Sequence, residues 1–477
     1  MSDHQGTTWG DKIDMELLAP AGGMEQLRAA LAFGADAVYL AADKFGMRAR
    51  ATNFSMDEIP EAVALAHEYG AKVHVTCNVL MHPDDMDELP AYFRALDEAG
   101  VDAFIIGDMG AFAVAGEVAP RVERHVSTQA SVANAQAARV WHSLGAKRVV
   151  CAREMSLADI ARMRQEIPED LELEAFVHGA MCMAVSGRCL ISSYLTGRSG
   201  NKGNCTQPCR WSYQIEEEKR PGQFFPVEET ERGSFIMNAK DLNMLSHVRE
   251  LARAGVNSIK IEGRNKKAFY VATVVGAYRR VLDGQNPALV EEELFAISHR
   301  PYDTGFYFHE GVQAPEYDGY EQETIHVADI VEVKSGDAEG EHFAYVVCRN
   351  RFSEGEALEV LSPAADPFEL VVKDVRWYPY FGPDMHDQDA PKTVQDALER
   401  AQAQDWVCVA DANRSKNVYR ITTSVPLMPG SFLRVRTPRR SARHQELTSP
   451  AASQDDSAAA DTSQASAAST ASREGAS

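Results

Sequence analysis

Four of the chain's eight cysteines lie close together in the sequence, at Cys182, Cys189, Cys205 and Cys209, with the spacing C-x6-C-x15-C-x3-C. The other four are scattered singly. Thiolates are soft ligands that suit zinc, copper(I) and iron–sulfur clusters, and four of them can complete a coordination sphere without other ligands. This cysteine window, residues 182–209, is therefore the first candidate for chemistry.

The spacing excludes the commonest arrangements of such ligands. Structural zinc sites usually carry two C-x2–4-C pairs, and here only Cys205 and Cys209 are that close. The ferredoxin pattern C-x2-C-x2-C and the radical-enzyme pattern C-x3-C-x2-C do not occur in the sequence. A reducing compartment favours metal binding over disulfides. Zinc and an iron–sulfur cluster at an unusual spacing both remain open.

The composition is that of an acidic globular protein. The chain has 477 residues, 45% of them hydrophobic, and a formal net charge of −22, and its length predicts two to four domains of roughly 100–200 residues. This charge excludes sequence-independent coating of nucleic acid, so an RNA ligand needs a local basic surface. With no targeting signal in its polar first residues and no apolar run near the ~20 residues that span a bilayer, the chain is predicted to be cytoplasmic.

A repeated pattern of helix, glycine and apolar run occupies the first 260 residues. Glycine ends a helix at little conformational cost, and continuous apolar runs are typical of parallel strands covered on both faces. The predicted strands are Leu17–Ala19, Ala37–Leu40, Val73–Cys77, Ala103–Ile106, Val122–Val126, Arg148–Cys151, Leu173–Val177 and Ser258–Ile261. Eight strands alternating with helices predict a (β/α)8 TIM-like barrel, with a doubly wound open sheet as the alternative.

Polar side chains follow the predicted strands, where barrel enzymes place their chemistry. They include Asn78, Gln129, Arg153, His178, Glu262 and Arg264. The cysteine window begins directly after the seventh strand, within an insertion at 179–256 that precedes the eighth. The sequence therefore predicts one polar barrel mouth with the cysteines above it.

The remaining segments have a different character. We assign residues 1–14 to an N-terminal tail, 15–300 to the barrel, and 301–440 to a small all-β barrel domain, because short β-rich runs recur there. Residues 441–477 are mainly Ala, Ser, Thr and Gln and are predicted to be a disordered tail. Two basic groups are candidate surfaces for phosphates or other anionic ligands, or simply solvated charge: Lys260 with Arg264, Lys266 and Lys267, and the run from Arg434 to Arg443.

Other catalytic patterns are absent from the sequence, including H-E-x-x-H, G-x-S-x-G, Walker A and G-x-G-x-x-G. His178 and Cys182 suggest a nucleophile–base pair, but a thiol placed among three others is better explained as a ligand. Protease chemistry therefore finds little support in the residues.

Several motifs resemble those of the collagenase-like U32 peptidase family. The main one is Glu174-Ala-Phe-Val-His-Gly-Ala-Met-Cys-Met-Ala-Val-Ser-Gly-Arg-Cys-Leu-Ile-Ser192, and further resemblance lies in Leu17-Leu-Ala-Pro-Ala-Gly, Ser127-Thr-Gln-Ala, Arg153-Glu-Met-Ser-Leu and Ile259-Lys-Ile-Glu-Gly-Arg. The resemblance runs from about residue 15 to 440. Length and the C-terminal β-domain are most similar to the branch of the family that hydroxylates tRNA.

The resemblance implies a function different from the family's name. Family members related to the tRNA-hydroxylating branch hydroxylate RNA or a quinone precursor without molecular oxygen. They carry a four-iron, four-sulfur cluster on four cysteines, here Cys182, Cys189, Cys205 and Cys209. The tRNA branch forms 5-hydroxyuridine at the wobble position of the anticodon loop, with prephenate as a required co-substrate. A collagenase-like peptidase, or a hydroxylase of rRNA or a quinone precursor, is the alternative.

These expectations give roles to particular side chains. Because guanidinium groups bind carboxylates through paired hydrogen bonds, four arginines become candidates for prephenate: Arg48, Arg50, Arg153 and Arg264. His178 and Glu262 are candidates for proton transfer, and Asn78 and Gln129 for orienting a polar substrate. Arg439 and Arg440 are candidates for tRNA phosphates. Ordinary salt bridges are the alternative for the arginines.

Overall fold

The computed structural model describes residues 10–47, 53–181, 191–208, 211, 214–216, 224–226, 240–309, 320–336, 338–363, 365–378, 398–401 and 405–437. All of them belong to one compact unit, residues 1–437. The helices are α1 (Met24–Ala32), α2 (Ile59–Glu68), α3 (Pro83–Glu98), α4 (Met109–Val118), α5 (Ala135–Ser143), α6 (Leu157–Glu166), α7 (Ile191–Thr196), α8 (Val248–Arg253), α9 (Ala268–Leu282) and α10 (Glu291–Phe295). In this described part of the chain, no helix is both long and apolar enough to cross a membrane.

The strands of the first region are β1 (Glu16–Pro20), β2 (Ala37–Leu40), β3 (Lys72–Cys77), β4 (Ala103–Ile106), β5 (Glu123–Val126), β6 (Arg148–Val150), β7 (Glu172–Ala180), β8 (Gln214–Glu216), β9 (Phe224–Pro226), β10 (Asp241–Asn243), β11 (Ser258–Ile261) and β12 (Tyr302–Asp303). Those of the second are β13 (Thr324–Ser335), β14 (His342–Cys348), β15 (Phe352–Ser353), β16 (Ala357–Leu361), β17 (Phe368–Val371), β18 (Lys373–Trp377), β19 (Val407–Cys408), β20 (Asp411–Ala412), β21 (Val418–Thr423) and β22 (Phe432–Arg436).

Eight parallel strands close into a barrel, which confirms the predicted fold over the open sheet. Strands β1 to β7 pair in chain order, and β11 pairs in parallel with both β1 and β7. The glycine pattern is present in the turns: Gly145 and Gly255 have φ angles of 92° and 84°, the left-handed conformation that a glycine adopts at a helix C-terminus. The barrel is thus built from short strands that helices cover on the outside.

Strand β7 is longer than its neighbours and serves two partners. It pairs with β11 inside the barrel, and its last three residues pair antiparallel with β10, which in turn pairs with β12. Between Lys260 and Ile261 the register with β11 shifts, so that Ile261 lies opposite His178 and Val177 is the extra residue. Such a β-bulge re-aims the side chains that follow it.

The second region is a curled antiparallel sheet, which confirms the prediction of an all-β C-terminal part. Its strand order is β17-β16-β22-β13-β14-β21-β18-β19. Residues just past the predicted boundary at 300 still pair with the barrel through β12. The predicted tails fall outside the described residues, apart from the end of the N-terminal one.

A buried ion-pair group joins the sheet to the barrel. Arg434 of β22 has no exposed surface, and its guanidinium lies 2.7 Å from Glu293 of α10 and 2.5 Å from Glu359 of β16. The prediction that Arg434 begins a phosphate-binding surface is therefore wrong for this residue. Its charge is used inside the protein because two carboxylates from different elements converge on it.

Replacing Arg434 by Ala should lower the free energy of unfolding by about 3 kcal/mol, the lower end of the cost of breaking a buried ion pair, because Glu293 and Glu359 then keep only the partly exposed Arg436 as a partner. Urea denaturation followed by circular dichroism measures this change. The control is Arg351→Ala, since the Arg351 side chain is 68% exposed beside Asp411 and such a pair contributes about 1 kcal/mol or less. Equal effects of the two substitutions would contradict the buried role.

Candidate functional site

A small cavity lies at the carboxyl ends of the barrel strands. Its volume is about 40 Å³, close to the ~30 Å³ that one water molecule occupies in the liquid. The lining residues are Tyr39, Met47, Thr76, Asn78, Ser127, Thr128, Gln129, Val150, Arg153, Phe176, Lys260, Glu262 and Arg264. The structure thus brings together Asn78, Gln129, Arg153, Glu262 and Arg264, all predicted from the sequence.

One wall of the cavity consists of amides and hydroxyls. The Asn78 side-chain amide donates to the Gln129 carbonyl oxygen over 3.1 Å and to the Ser127 hydroxyl over 3.3 Å, and its own oxygen accepts from the Met47 backbone N–H. The Ser127 hydroxyl also donates to Gln129. These bonds fix the three polar side chains relative to one another, so the wall is preorganised for a polar ligand.

The opposite wall carries arginines. The Arg153 guanidinium lies 3.9 Å from the centre of the Phe176 ring and donates to the Ala180 carbonyl over 3.3 Å. Arg264 is 4% exposed. A Cβ atom on Gly22 would lie 2.0 Å from the Arg264 carbonyl oxygen, so glycine is required where the β1 loop passes this backbone.

Glu262 and Tyr39 lie side by side in the cavity. The Tyr39 hydroxyl is 2.9 Å from the Ile261 carbonyl and 3.3 Å from the Glu262 carboxylate. A carboxylate and a phenol at this distance can hold a proton between them. The predicted proton-transfer role of Glu262 thus has a partner in Tyr39, which the sequence analysis did not select.

Lys260 forms the floor of the cavity and is the main residue that the sequence analysis misplaced. Instead of lying in a surface patch it is 4% exposed, with its ammonium 2.8 Å from Glu174 and 4.4 Å from the centre of the Tyr39 ring. Burial lowers the pKa of Lys260, and the Glu174 charge opposes that effect. The sequence did contain a signal for the inward position of Lys260. Ser258, Lys260 and Glu262 occupy every second position in and directly after β11, and side chains at such positions lie on the same face of a strand, here the inward one.

An ion-pair network continues below Lys260 through the barrel interior. Glu174, which has no exposed surface, also contacts Arg148 over 3.3 Å, and Arg148 contacts Glu16 over 3.0 Å and Glu172 over 2.7 Å. Burial acts to raise the pKa of Glu16, but its hydrogen bond and charge interaction with Arg148 outweigh this and lower it to about 2. The interior is thus filled by paired charges where most barrels carry branched apolar side chains.

Two neutral histidines lie beside this network. The rings of His74 and His125 meet edge to face with centroids 4.9 Å apart. Burial, together with the neighbouring His125, lowers the pKa of His74 to about 3, and burial holds the pKa of His125 well below 6.5. Both are therefore uncharged at neutral pH and add no further positive charge to the interior.

One known protein family matches most of the barrel. The model of the family described as peptidase family U32 matches residues 22–315, which include the residues that line the cavity. The chain belongs to peptidase family U32.

Relatives in the U32 family carry names that refer to RNA. tRNA hydroxylation protein P1 of Bacillus subtilis (strain 168) is 37% identical over 374 residues, covering 76% of this chain and 86% of that protein. tRNA hydroxylation protein P of Escherichia coli (strain K12) is 34% identical over 399 residues, covering 73% and 86%. The 23S rRNA 5-hydroxycytidine C2501 synthase of the same organism is 38% identical over 278 residues, covering 58% and 40%.

In this U32 protein His178 does not line the cavity. The bulge in β7 places it opposite Ile261, and its ring packs against three tyrosines, Tyr270 and Tyr278 of α9 and Tyr302, with centroids 5.3–6.2 Å apart. Burial lowers the pKa of His178 to about 3. Its predicted role in proton transfer therefore has no contact with the cavity to support it.

The segment that carries Cys205 is held over the barrel end. The Leu80 backbone N–H, two residues beyond Asn78, donates to the Asn201 carbonyl over 3.0 Å. Cys205 is partly buried and forms no disulfide, and its sulfur accepts from the Gln207 backbone N–H over 3.3 Å. This bond places Asn201, four residues before Cys205, beside the loop after β3, and the position of the cysteine window above the mouth stays a prediction.

The other predicted site residues fall outside the described part of the chain. These are Arg48, Arg50, Cys182, Cys189, Cys209, Arg439 and Arg440. Their roles stay predictions.

His178 should make this U32 protein less stable in mild acid. The pKa of His178 is about 3 in the folded chain, against an ordinary 6.5. Between these two pH values the unfolded chain binds a proton at this residue and the folded chain does not. The free energy of unfolding therefore rises with pH in this range and falls on acidification. When the pH falls from 7 to 5, the wild type should lose roughly 2 kcal/mol of unfolding free energy to the protonation of this histidine in the unfolded chain. His178→Phe should not show this part of the loss.

Urea denaturation at both pH values measures this difference. His67→Phe is the control, because the His67 side chain is 45% exposed. If His178→Phe changed the pH dependence no more than His67→Phe, the buried neutral state of His178 would be refuted.

Proposed function

We propose that this protein is a tRNA uridine 5-hydroxylase, which converts the wobble uridine of the anticodon loop to 5-hydroxyuridine without O2, with prephenate as co-substrate. The observation that carries the proposal is the similarity, over about three quarters of the chain, to two proteins named for tRNA hydroxylation. The cavity gives the proposal a place for its chemistry.

The cavity suits an anionic co-substrate in an otherwise acidic chain. Arg153, Lys260 and Arg264 line it, and Glu262 is the one carboxylate among the lining residues that the structure describes. Prephenate carries two carboxylates, and guanidinium groups bind carboxylates with fixed geometry. We assign the arginines to binding, Asn78 and Gln129 to orienting a polar group, and the Glu262–Tyr39 pair to holding a proton beside the bound acid.

A four-iron, four-sulfur cluster on Cys182, Cys189, Cys205 and Cys209 is the proposed cofactor. Cys205 fits such a ligand, because its thiol is free and partly exposed and its sulfur accepts a backbone N–H bond, the kind of interaction that tunes cluster sulfur. When bound, the cluster would supply electron transfer or a Lewis-acidic iron. The backbone bond between Leu80 and Asn201 would keep it near the cavity.

A collagenase-like peptidase is the second candidate, favoured by the family's description. Hydrolysis by a serine or cysteine nucleophile needs a base within hydrogen-bond reach. Among the described lining residues Thr76, Ser127 and Thr128 carry aliphatic hydroxyls, but none is a histidine. The cavity therefore favours hydroxylation over a triad-type peptidase. Hydroxylation of rRNA remains an outcome of the experiment because of the 23S rRNA relative.

Cys205→Ala should abolish both the cluster and the modification, since three thiolates leave one iron without its protein ligand. A deletion strain is complemented with wild-type protein, Cys205→Ala or Cys408→Ala, and mass spectrometry measures 5-hydroxyuridine-derived nucleosides in tRNA and hydroxylated nucleosides in rRNA. Iron and sulfide are measured in anaerobically purified protein. Cys408→Ala is the matched control, because Cys408 is an exposed free cysteine of the C-terminal sheet.

Wild-type protein and Cys408→Ala should restore the tRNA nucleoside, and Cys205→Ala should not. A tRNA that stays fully modified in the deletion strain would contradict the proposal. Colourless, iron-free wild-type protein that cleaves gelatin would establish the peptidase instead.

Charge reversal at Arg439 and Arg440 should weaken tRNA binding and flatten its dependence on salt, because each lost phosphate contact removes about one unit from the slope of log K against log salt. Filter binding between 50 and 200 mM KCl measures both. Arg351→Glu serves as the control on an exposed arginine of the C-terminal sheet. Equal binding by all three proteins would remove Arg439 and Arg440 from the RNA surface.

A further inference from the structure

We infer that the cavity is a receptor for a single carboxylate group of a small organic acid, and that the Lys260 ammonium binds this carboxylate directly from the floor. The inference deepens the proposed function, on which it rests for the identity of the acid. It adds a residue, Lys260, and a binding mode in which the carboxylate enters the barrel while the rest of the acid stays outside.

The size of the cavity sets the binding mode. With a volume of about 40 Å³, it has room for a group close in size to one water molecule. A carboxylate fits such a space, whereas a six-membered ring or a nucleobase does not. The ligand must therefore insert its smallest anionic end.

The charges of the cavity select a carboxylate. Lys260 and Arg153 both lie against the Phe176 ring, with the Nζ atom 5.6 Å and the guanidinium carbon 3.9 Å from its centre, so the two cations flank one aromatic side chain. Arg264 lines the same space. Counting Glu174, which accepts from Lys260 below the cavity, three cations and two carboxylates surround the described part of this space.

The network beneath Lys260 holds its amine in place. Glu174 accepts one N–H of the ammonium over 2.8 Å, and Arg148 fixes Glu174 from below. An ammonium has three N–H donors. One is used by Glu174, and the position of Lys260 in the cavity lining leaves donors for a ligand.

The protonation state of Lys260 should control affinity. The charged and titratable groups around it are Glu174 on β7, Arg148 on β6, Glu262 directly after β11 and His125 on β5, with the Tyr39 ring on β2. Burial lowers the pKa of Lys260 from its ordinary 10.5. The amine is charged below its pKa and neutral above it, so affinity for a carboxylate falls as pH rises through that value.

The experiment uses 3-phenylpropionate as a carboxylate probe and 3-phenylpropionamide as its uncharged match. Calorimetry with the full-length anaerobic protein measures both dissociation constants from pH 6.5 to 9.5. The variants are Lys260→Met, Lys260→Arg, which keeps a charge that does not titrate in this range, and Lys72→Met as the control at the exposed amino end of β3.

The acid should bind and the amide should not. Lys260→Met should weaken acid binding about tenfold or more, the usual effect of losing a charge-assisted hydrogen bond, and Lys72→Met should have no effect. Lys260→Arg tests the inference even if Lys260→Met fails to fold: its affinity for the acid should change less between pH 6.5 and 9.5 than that of the wild type.

Several results would overturn the inference. The first is an affinity for the acid that depends on pH equally in the wild type and Lys260→Arg, and the second is equal affinity for the acid and the amide. The others are inorganic phosphate that competes as well as the acid, and a covalent adduct at Lys260 after treatment with pyruvate and borohydride. If tRNA is hydroxylated but the acid does not bind, this inference alone fails. If the acid binds as described but no tRNA nucleoside depends on the protein, the proposed function fails and the carboxylate site stands.

Discussion

The pairing of charges inside the barrel is the constraint on which the site depends. Glu174 lies wholly buried between Lys260 and Arg148, and a buried carboxylate without such partners would cost several kcal/mol. Each partner is held from a different strand, so the strands must keep their register for the charges to match. The network therefore couples the shape of the barrel to the position of the cation that faces the cavity.

Strand β7 connects this interior to everything above it. Its alternating residues Glu172, Glu174 and Phe176 face inward, and the bulge then turns His178 toward α9. Without the extra residue, alternation would continue to place the side chain of residue 178 toward the barrel axis. The same strand ends one residue before Met181 and so leads directly into the cysteine window.

Five of the eight barrel strands were predictable because each begins shortly after a helix that ends at glycine, at Gly34, Gly70, Gly100, Gly145 and Gly255. Leu17–Ala19 and Ser258–Ile261 lie within or coincide with observed strands, and the mouth residues followed from the rule that parallel strands end at one edge. Individual strands of the C-terminal sheet such as β17, β18 and β21 are hard to locate from the sequence, because segments such as Lys373–Trp377 mix polar and apolar residues in short pieces without a clear alternation.

Burial of charged residues was the harder problem. Lys260 and Arg434 were both assigned to surface patches, since a charged side chain is exposed in most proteins. Their burial depends on carboxylates that are distant in sequence, Glu174 for the first and Glu293 for the second. Bulges are equally hard to read from a sequence, so the orientation of His178 became clear only with the pairing of β7 and β11.

The bond that ties the cysteine segment to the barrel has an evolutionary consequence. It runs between main-chain atoms, from the N–H of Leu80 to the carbonyl of Asn201, so it does not depend on which side chains occupy these positions. Sequences can diverge at both ends while the segment keeps its place, and proline at position 80 is the one common substitution that removes the donor. The cysteine-bearing loop and the barrel can thus drift in sequence independently without losing their alignment.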